Sequence, residues 1–112
     1  MSNVPPPTEA LEDLAAVLGE DNVRTLVRTF LRDFPGSFKE LSNPDRKEQH
    51  RVAHSMKSNT RLMGAIKLSE HMAELERRLE APTGPGVAPA DLAAISAEFE
   101  TIAAPLRAFV GA

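Results

Sequence analysis

The segment AHSMKSNTRLMGA, residues 53–65, places His54 on a helical stripe with Lys57, Ser58 and Arg61. At about 3.6 residues per turn, positions 54, 57, 58 and 61 share one face. Val52, Ala53, Met56 and Met63 turn largely the other way, toward a core. His54 is therefore expected to look outward. With an ordinary pKa of about 6.5, an imidazole near neutral pH is an uncharged nucleophile. An ammonium one turn on stabilises an anion, and a small hydroxyl side chain leaves room for it. The negatively charged group that suits this pattern best is phosphate.

Each of these residues has a plainer reading. A lone helix histidine beside basic residues is commonly just a solvated side chain. His50 lies one turn before His54, and an i,i+4 histidine pair could bind a metal. Against that stand the lack of cysteine and the positive charge of Arg46, Lys47, Arg51 and Lys57, which would oppose a divalent cation. His50 is better placed as rim surface that shapes a docking site. Arg61 either extends the cationic face toward a partner or is simply solvated.

Helices must position these groups. After a proline-rich stretch, Pro5-Pro6-Pro7, Thr8 can cap a short helix, EALEDLAAVL, with Leu11, Leu14, Ala15 and Leu18 on one side and Gly19 as its stop. Residues 1–7 are expected to be a flexible tail and residues 8–112 one helical domain. Val23, Leu26, Val27, Phe30, Leu31 and Phe34 then repeat at steps of three and four, an amphipathic second helix that Pro35-Gly36 should kink or interrupt, although Phe38 and Leu41 continue the apolar spacing so that the helix can resume. Ser42-Asn43-Pro44-Asp45 is a helix-start signature, so a third helix should run from about Pro44 through His54 toward Gly64. Ala65, Leu68, Met72, Leu75 and Leu79 mark a fourth, ending near Glu80. Residues 81–90, APTGPGVAPA, read as a loop. Pro89 opens a last helix with Leu92, Ile95, Phe99, Ile102 and Leu106 inward, which Pro105 should kink or shorten. No strand pattern occurs. The expected fold is all-α, an up-and-down antiparallel four-helix bundle with a short extra N-terminal helix.

Composition narrows the function classes. The chain of 112 residues is 42% apolar, enough for one compact domain. With no cysteine, neither a disulfide framework nor a Cys-based metal or redox site is available. No basic start precedes an apolar run, and no stretch approaches about 18 apolar residues, so a cytoplasmic protein that does not span a membrane is expected. The net charge of −3 is unevenly spread. Residues 46–61 hold five basic side chains against one acidic, whereas 1–45 hold four against eight and 62–112 four against seven. One short cationic helix on an acidic protein suits docking to a local acidic pocket rather than coating nucleic acid. The absence of Trp and Tyr weakens base stacking further.

From His54 to Glu76 the sequence resembles the histidine-containing phosphotransfer (HPt) domains of multistep phosphorelays. That family's pattern is a histidine, Lys three residues on with Gly or Ser beside it, Gly-Ala about ten residues on, a spaced Leu, then Leu-Glu or Leu-Gln. Here it reads His54, Lys57, Ser58, Gly64-Ala65, Leu68 and Leu75-Glu76. The resemblance implies that His54 accepts and donates the phosphoryl group and that Lys57 stabilises the added charge. It further implies that Ser58 stays small for in-line approach, and that Glu76 accepts a hydrogen bond from the other ring nitrogen and so fixes tautomer and orientation. Ser58 stands where Gly is commoner, and its hydroxyl either donates to the phosphate or narrows access. Met56 and Met63 stand where Leu is usual, a near-isosteric change.

The partners so implied are response-regulator receiver domains and a hybrid sensor histidine kinase, met through His50, Arg51 and Arg61 around an apolar patch. No cofactor is implied for this chain, the Mg²⁺ belonging to the receiver. No GxxxxGK[ST] loop occurs, so kinase activity of its own is not expected. A different class of reading is a non-phosphorylated helical adaptor that binds a receiver without transfer; the intact His54, Lys57 and Glu76 set argues against it. A fragment of a larger sensor kinase is a third reading, with a free-standing monomer the expectation.

Overall fold

The structure, a computed structural model, describes residues 4–111. Among them every regular element is an α-helix: α1 (Glu9–Leu18), α2 (Glu20–Glu40), α3 (Arg46–Leu62), α4 (Ile66–Glu80) and α5 (Pro89–Val110). The all-α expectation holds. Of the expected tail, residues 1–3 lie outside the described residues, and residues 4–8 precede the first helix without forming one.

Local chemistry sets the helix ends. Thr8 caps α1, its Oγ1 accepting from the Leu11 amide at 3.2 Å. Gly19 at φ +88° ends α1 and precedes α2, a corner that a side chain would strain. The start of α3 differs from expectation: Asp45 is the cap, accepting from the Lys47 amide at 2.9 Å, so the helix begins at Arg46 rather than near Pro44. The Asn43 side chain takes the Asp45 amide instead, at 2.9 Å, and holds the preceding turn open. Pro89 opens α5, and Asp91 Oδ2 accepts from the Ala88 amide at 2.8 Å.

At the prolines, interruption and shortening do not occur: α2 runs through Pro35 to Glu40, as the continuing spacing of Phe38 and Leu41 allowed, and α5 through Pro105 to Val110. Both prolines are exposed, and buried residues on either side of each, Phe34 and Leu41 for one and Ala103 and Leu106 for the other, hold the helix on the core. A missing N–H on a wet face can be made good by water, so packing outweighs the local penalty. Leu18 is also corrected. Expected on the inner side of α1, it is 43% exposed, because the chain turns away at Gly19.

α3 packs most extensively against α4, and α2 against α5, with α1 lying on α2 and α3. The aromatic centre lies between α2 and α5, where Phe34 stacks on Phe99 at 3.9 Å between ring centroids and Phe30 tilts against both. Arg24 and Arg28 donate to the Phe109 and Val110 carbonyls, satisfying the end of α5. Arg46 and Gln49, near the start of α3, tie down the loop before α5. Arg46 donates to the carbonyls of Arg78, Ala81 and Gly84, and Gln49 bonds Leu41, Asn43 and Val87. No helix among the described residues is long and apolar enough to cross a membrane.

Candidate functional site

The site lies on α3 and α4, and the turn between them places it. At Gly64 the backbone takes φ +73°, and the Ala65 amide bonds the Thr60 carbonyl at 2.9 Å. The chain can then fold back at once. Thr8 closes over this corner, its Oγ1 donating to the Met63 carbonyl at 3.0 Å. Beyond the turn, Ser69 Oγ donates to the Lys57 carbonyl at 3.4 Å, which ties α4 alongside the His54–Lys57 stretch of α3. Leu68, Met72, Leu75 and Leu79 anchor the inner side of α4 and Val52, Ala53 and Met56 that of α3. Glu76 follows Leu75 and meets the edge of α3, where His54 and Lys57 project.

The three side chains form one hydrogen-bonded set. His54 Nδ1 lies in contact with Glu76 Oε2, and Lys57 Nζ donates to Glu76 Oε1 at 2.5 Å. Exposure falls inward through the set: the His54 side chain is 63% exposed, Lys57 24% and Glu76 11%. The Lys57 ammonium bonded to Glu76 holds that carboxyl below its ordinary range. Burial opposes the shift, and the hydrogen bond with His54 reinforces it. Glu76 is therefore an anion near neutral pH and can only accept. The proton of the His54–Glu76 bond must then sit on Nδ1. In the neutral ring Nε2 keeps its lone pair, on the side of the ring away from Glu76.

The other site residues predicted from the sequence are placed as follows. Ser58 is exposed one turn beyond His54, and among the described residues its hydroxyl makes no hydrogen bond. Arg61 is exposed another turn on, with no ion pair among the described residues. Arg51 is exposed but engaged, donating to Glu40 and Glu48. His50 is half-buried with its Nε2 at 3.8 Å from Glu80, in a cleft it shares with Arg46, Lys47, Leu79 and Pro82. His54, Lys57 and Glu76 are thus brought together, while His50, Arg51, Ser58 and Arg61 line the same helix around them.

Between α2 and α3 lies an apolar groove of about 260 Å³, lined by none of His54, Lys57, Ser58, Arg61 and Glu76. Phe30, Phe34, Met56 and Met63 line it, with Asn59 and the 43% exposed Leu62 on its α3 side.

One cluster has no counterpart in the sequence reading. On α4 and α5, His71 sits with Nδ1 at 3.3 Å from Glu98 and Nε2 at 3.4 Å from Asp91, and Arg78 donates to the same Asp91 at 2.8 Å. It staples the two helices. The spacing of His71 and Arg78 on one helix gives no sign of acids some 20 residues away, so only the helix pairing reveals it. Comparisons with protein-family models, with curated proteins and with solved structures find no match for this chain.

Proposed function

We propose that the protein is a histidine phosphotransfer protein of a two-component multistep phosphorelay, carrying a phosphoryl group between receiver-domain aspartates on His54. The observation that carries this reading is the His54–Glu76 contact: an ionised, largely buried carboxylate holds Nδ1–H, and the ring's second nitrogen is left outward. The helices α2 to α5 are read as an up-and-down antiparallel four-helix bundle, with α1 as the short extra helix.

The proposed transfer runs as a single displacement. The Nε2 lone pair attacks the phosphorus of an aspartyl phosphate, the N–P bond forms, and the P–O bond to the aspartate breaks. The electron pair leaves on the aspartate carboxylate. No proton needs to move, because Nδ1–H stays against Glu76, whose charge offsets the positive charge that grows on the ring. Lys57 neutralises Glu76 in part and keeps a cation close to the reacting ring. Return of the group to a second receiver is the same step reversed. The Mg²⁺ that phosphoryl transfer of this class uses would be held by the receiver.

Docking is assigned to the surface around His54. An apolar patch around His54 is assigned the contact area, and Arg61, His50 and Arg51 the rim toward an acidic receiver. Receiver domains and a hybrid sensor histidine kinase are the proposed partners, and a cytoplasmic monomer the proposed state.

The test is transfer from radiolabelled, phosphorylated receiver domains of the source organism. Wild type is expected to gain acid-labile, base-stable label, and His54→Gln none. Wild type left unlabelled by every competent receiver, or labelled His54→Gln, contradicts the proposal. Receiver binding that survives in His54→Ala without any transfer by wild type is the result that a helical adaptor would give.

A further inference from the structure

Lys57, the residue best suited by charge to touch a phosphoryl group on His54, has its ammonium directed inward onto Glu76. The nearest outward donor on the same stripe is Ser58. A helix hydroxyl can satisfy itself by donating to the carbonyl four residues back, as Thr25, Thr60 and Thr101 do here, whereas Thr29, Ser37, Ser55 and Ser96 do not. Ser58 Oγ makes no such bond among the described residues, and it is exposed. Its Cβ lies one turn from that of His54, about 5–6 Å on a helix, and helical side chains lean toward the N-terminus, which here is toward His54.

We infer that the Ser58 hydroxyl donates a hydrogen bond to a phosphoryl oxygen on His54 Nε2, while Lys57 acts one step back, through Glu76. This rests on the phosphocarrier reading of His54. Ser58 is then a catalytic residue in the sense that it touches the transferred group, and Lys57 a positioning residue. A hydroxyl bonded to a charged oxygen makes a short, strong hydrogen bond, and its loss exposes the phosphoryl group to faster loss to water. A purely spatial role for Ser58 predicts something else: Ala, nearly the same size, would behave as wild type, and only Gly would differ.

The test uses the full chain, phosphorylated chemically with potassium phosphoramidate so that no receiver is needed, with His54→Gln to subtract label on His50 and His71. The lifetime of phosphohistidine and its ³¹P resonance are measured in wild type, Ser58→Ala and Ser58→Gly, and thermal melts confirm that each is folded. Both variants are expected to lose the phosphoryl group faster, about three- to tenfold, with the resonance moved in the same direction. Ser58→Ala matching wild type in lifetime and resonance overturns the inference, whether or not Ser58→Gly differs. The phosphorelay reading fails separately, when chemically phosphorylated wild type passes its label to none of the organism's receivers.

Discussion

At the scale of single residues, Glu76 is the group that orients a surface histidine, and in the proposed reaction it is what would direct that ring as a nucleophile. It holds one ring nitrogen and is itself held by Lys57. Glu76→Ala is expected to lower the rate of transfer from a phosphorylated receiver by about 10- to 100-fold, the usual penalty for removing a group that orients a reacting imidazole. Glu76→Gln keeps an acceptor and should lose less; rapid-quench kinetics separates the two. The same carboxylate has a signature in stability. Its pKa lies below the ordinary 4.5, so its contribution is fully present above that value and is lost as pH falls through the lowered one. Urea denaturation should show wild type losing more stability than Glu76→Gln between about pH 5 and pH 2, with a constant difference between them near neutrality. His54, Lys57 and Ser58 could be read from the sequence because one helix period relates them. That Lys57 faces Glu76 could not, since both the distance and the direction of the ammonium depend on how α4 lies against α3.

Among the elements, the α3–α4 hairpin carries the candidate site and Gly64 makes its turn. The glycine sits at φ +73°, and a Cβ there would meet Thr8 Oγ1 at 2.4 Å. Gly64→Ala combines left-handed strain with a clash against the residue that caps α1. It should destabilise the protein by about 1–3 kcal/mol, read as a lower urea midpoint. The apolar periodicity made four of the five helix starts legible, and the capping residues Thr8 and Asp45 lie within the segments that signalled them. The helices run on through their prolines for a definite reason. Pro35 and Pro105 are strong local breakers, yet both sit on solvated faces of helices whose other side is deeply packed. Local preference is a weak prior once a long apolar stripe is buried. The His71–Asp91–Glu98 staple stayed invisible for the converse reason, being made entirely by the pairing of α4 with α5.

Over the whole molecule, the His54 ring stands on the outside of an all-helical body whose one core draws on all five helices. The Phe30, Phe34 and Phe99 cluster packs α2 on α5, while His54 and Glu76 lie on the α3–α4 pair. The segment of positive charge at 46–61 was plain in the sequence, but its availability was not: Arg46 serves three carbonyls, Arg51 two carboxylates and Lys57 Glu76. Arg61 alone of the predicted docking cations is exposed without an ion pair among the described residues. Everything in the functional account depends on which nitrogen of which ring carries phosphorus. The decisive measurement is phosphorus–nitrogen coupling by NMR in ¹⁵N-histidine protein after incubation with a phosphorylated receiver. The account predicts coupling to Nε2 of His54, with a proton still on Nδ1. Phosphorus on Nδ1, on another residue, or on no residue of the chain would contradict it.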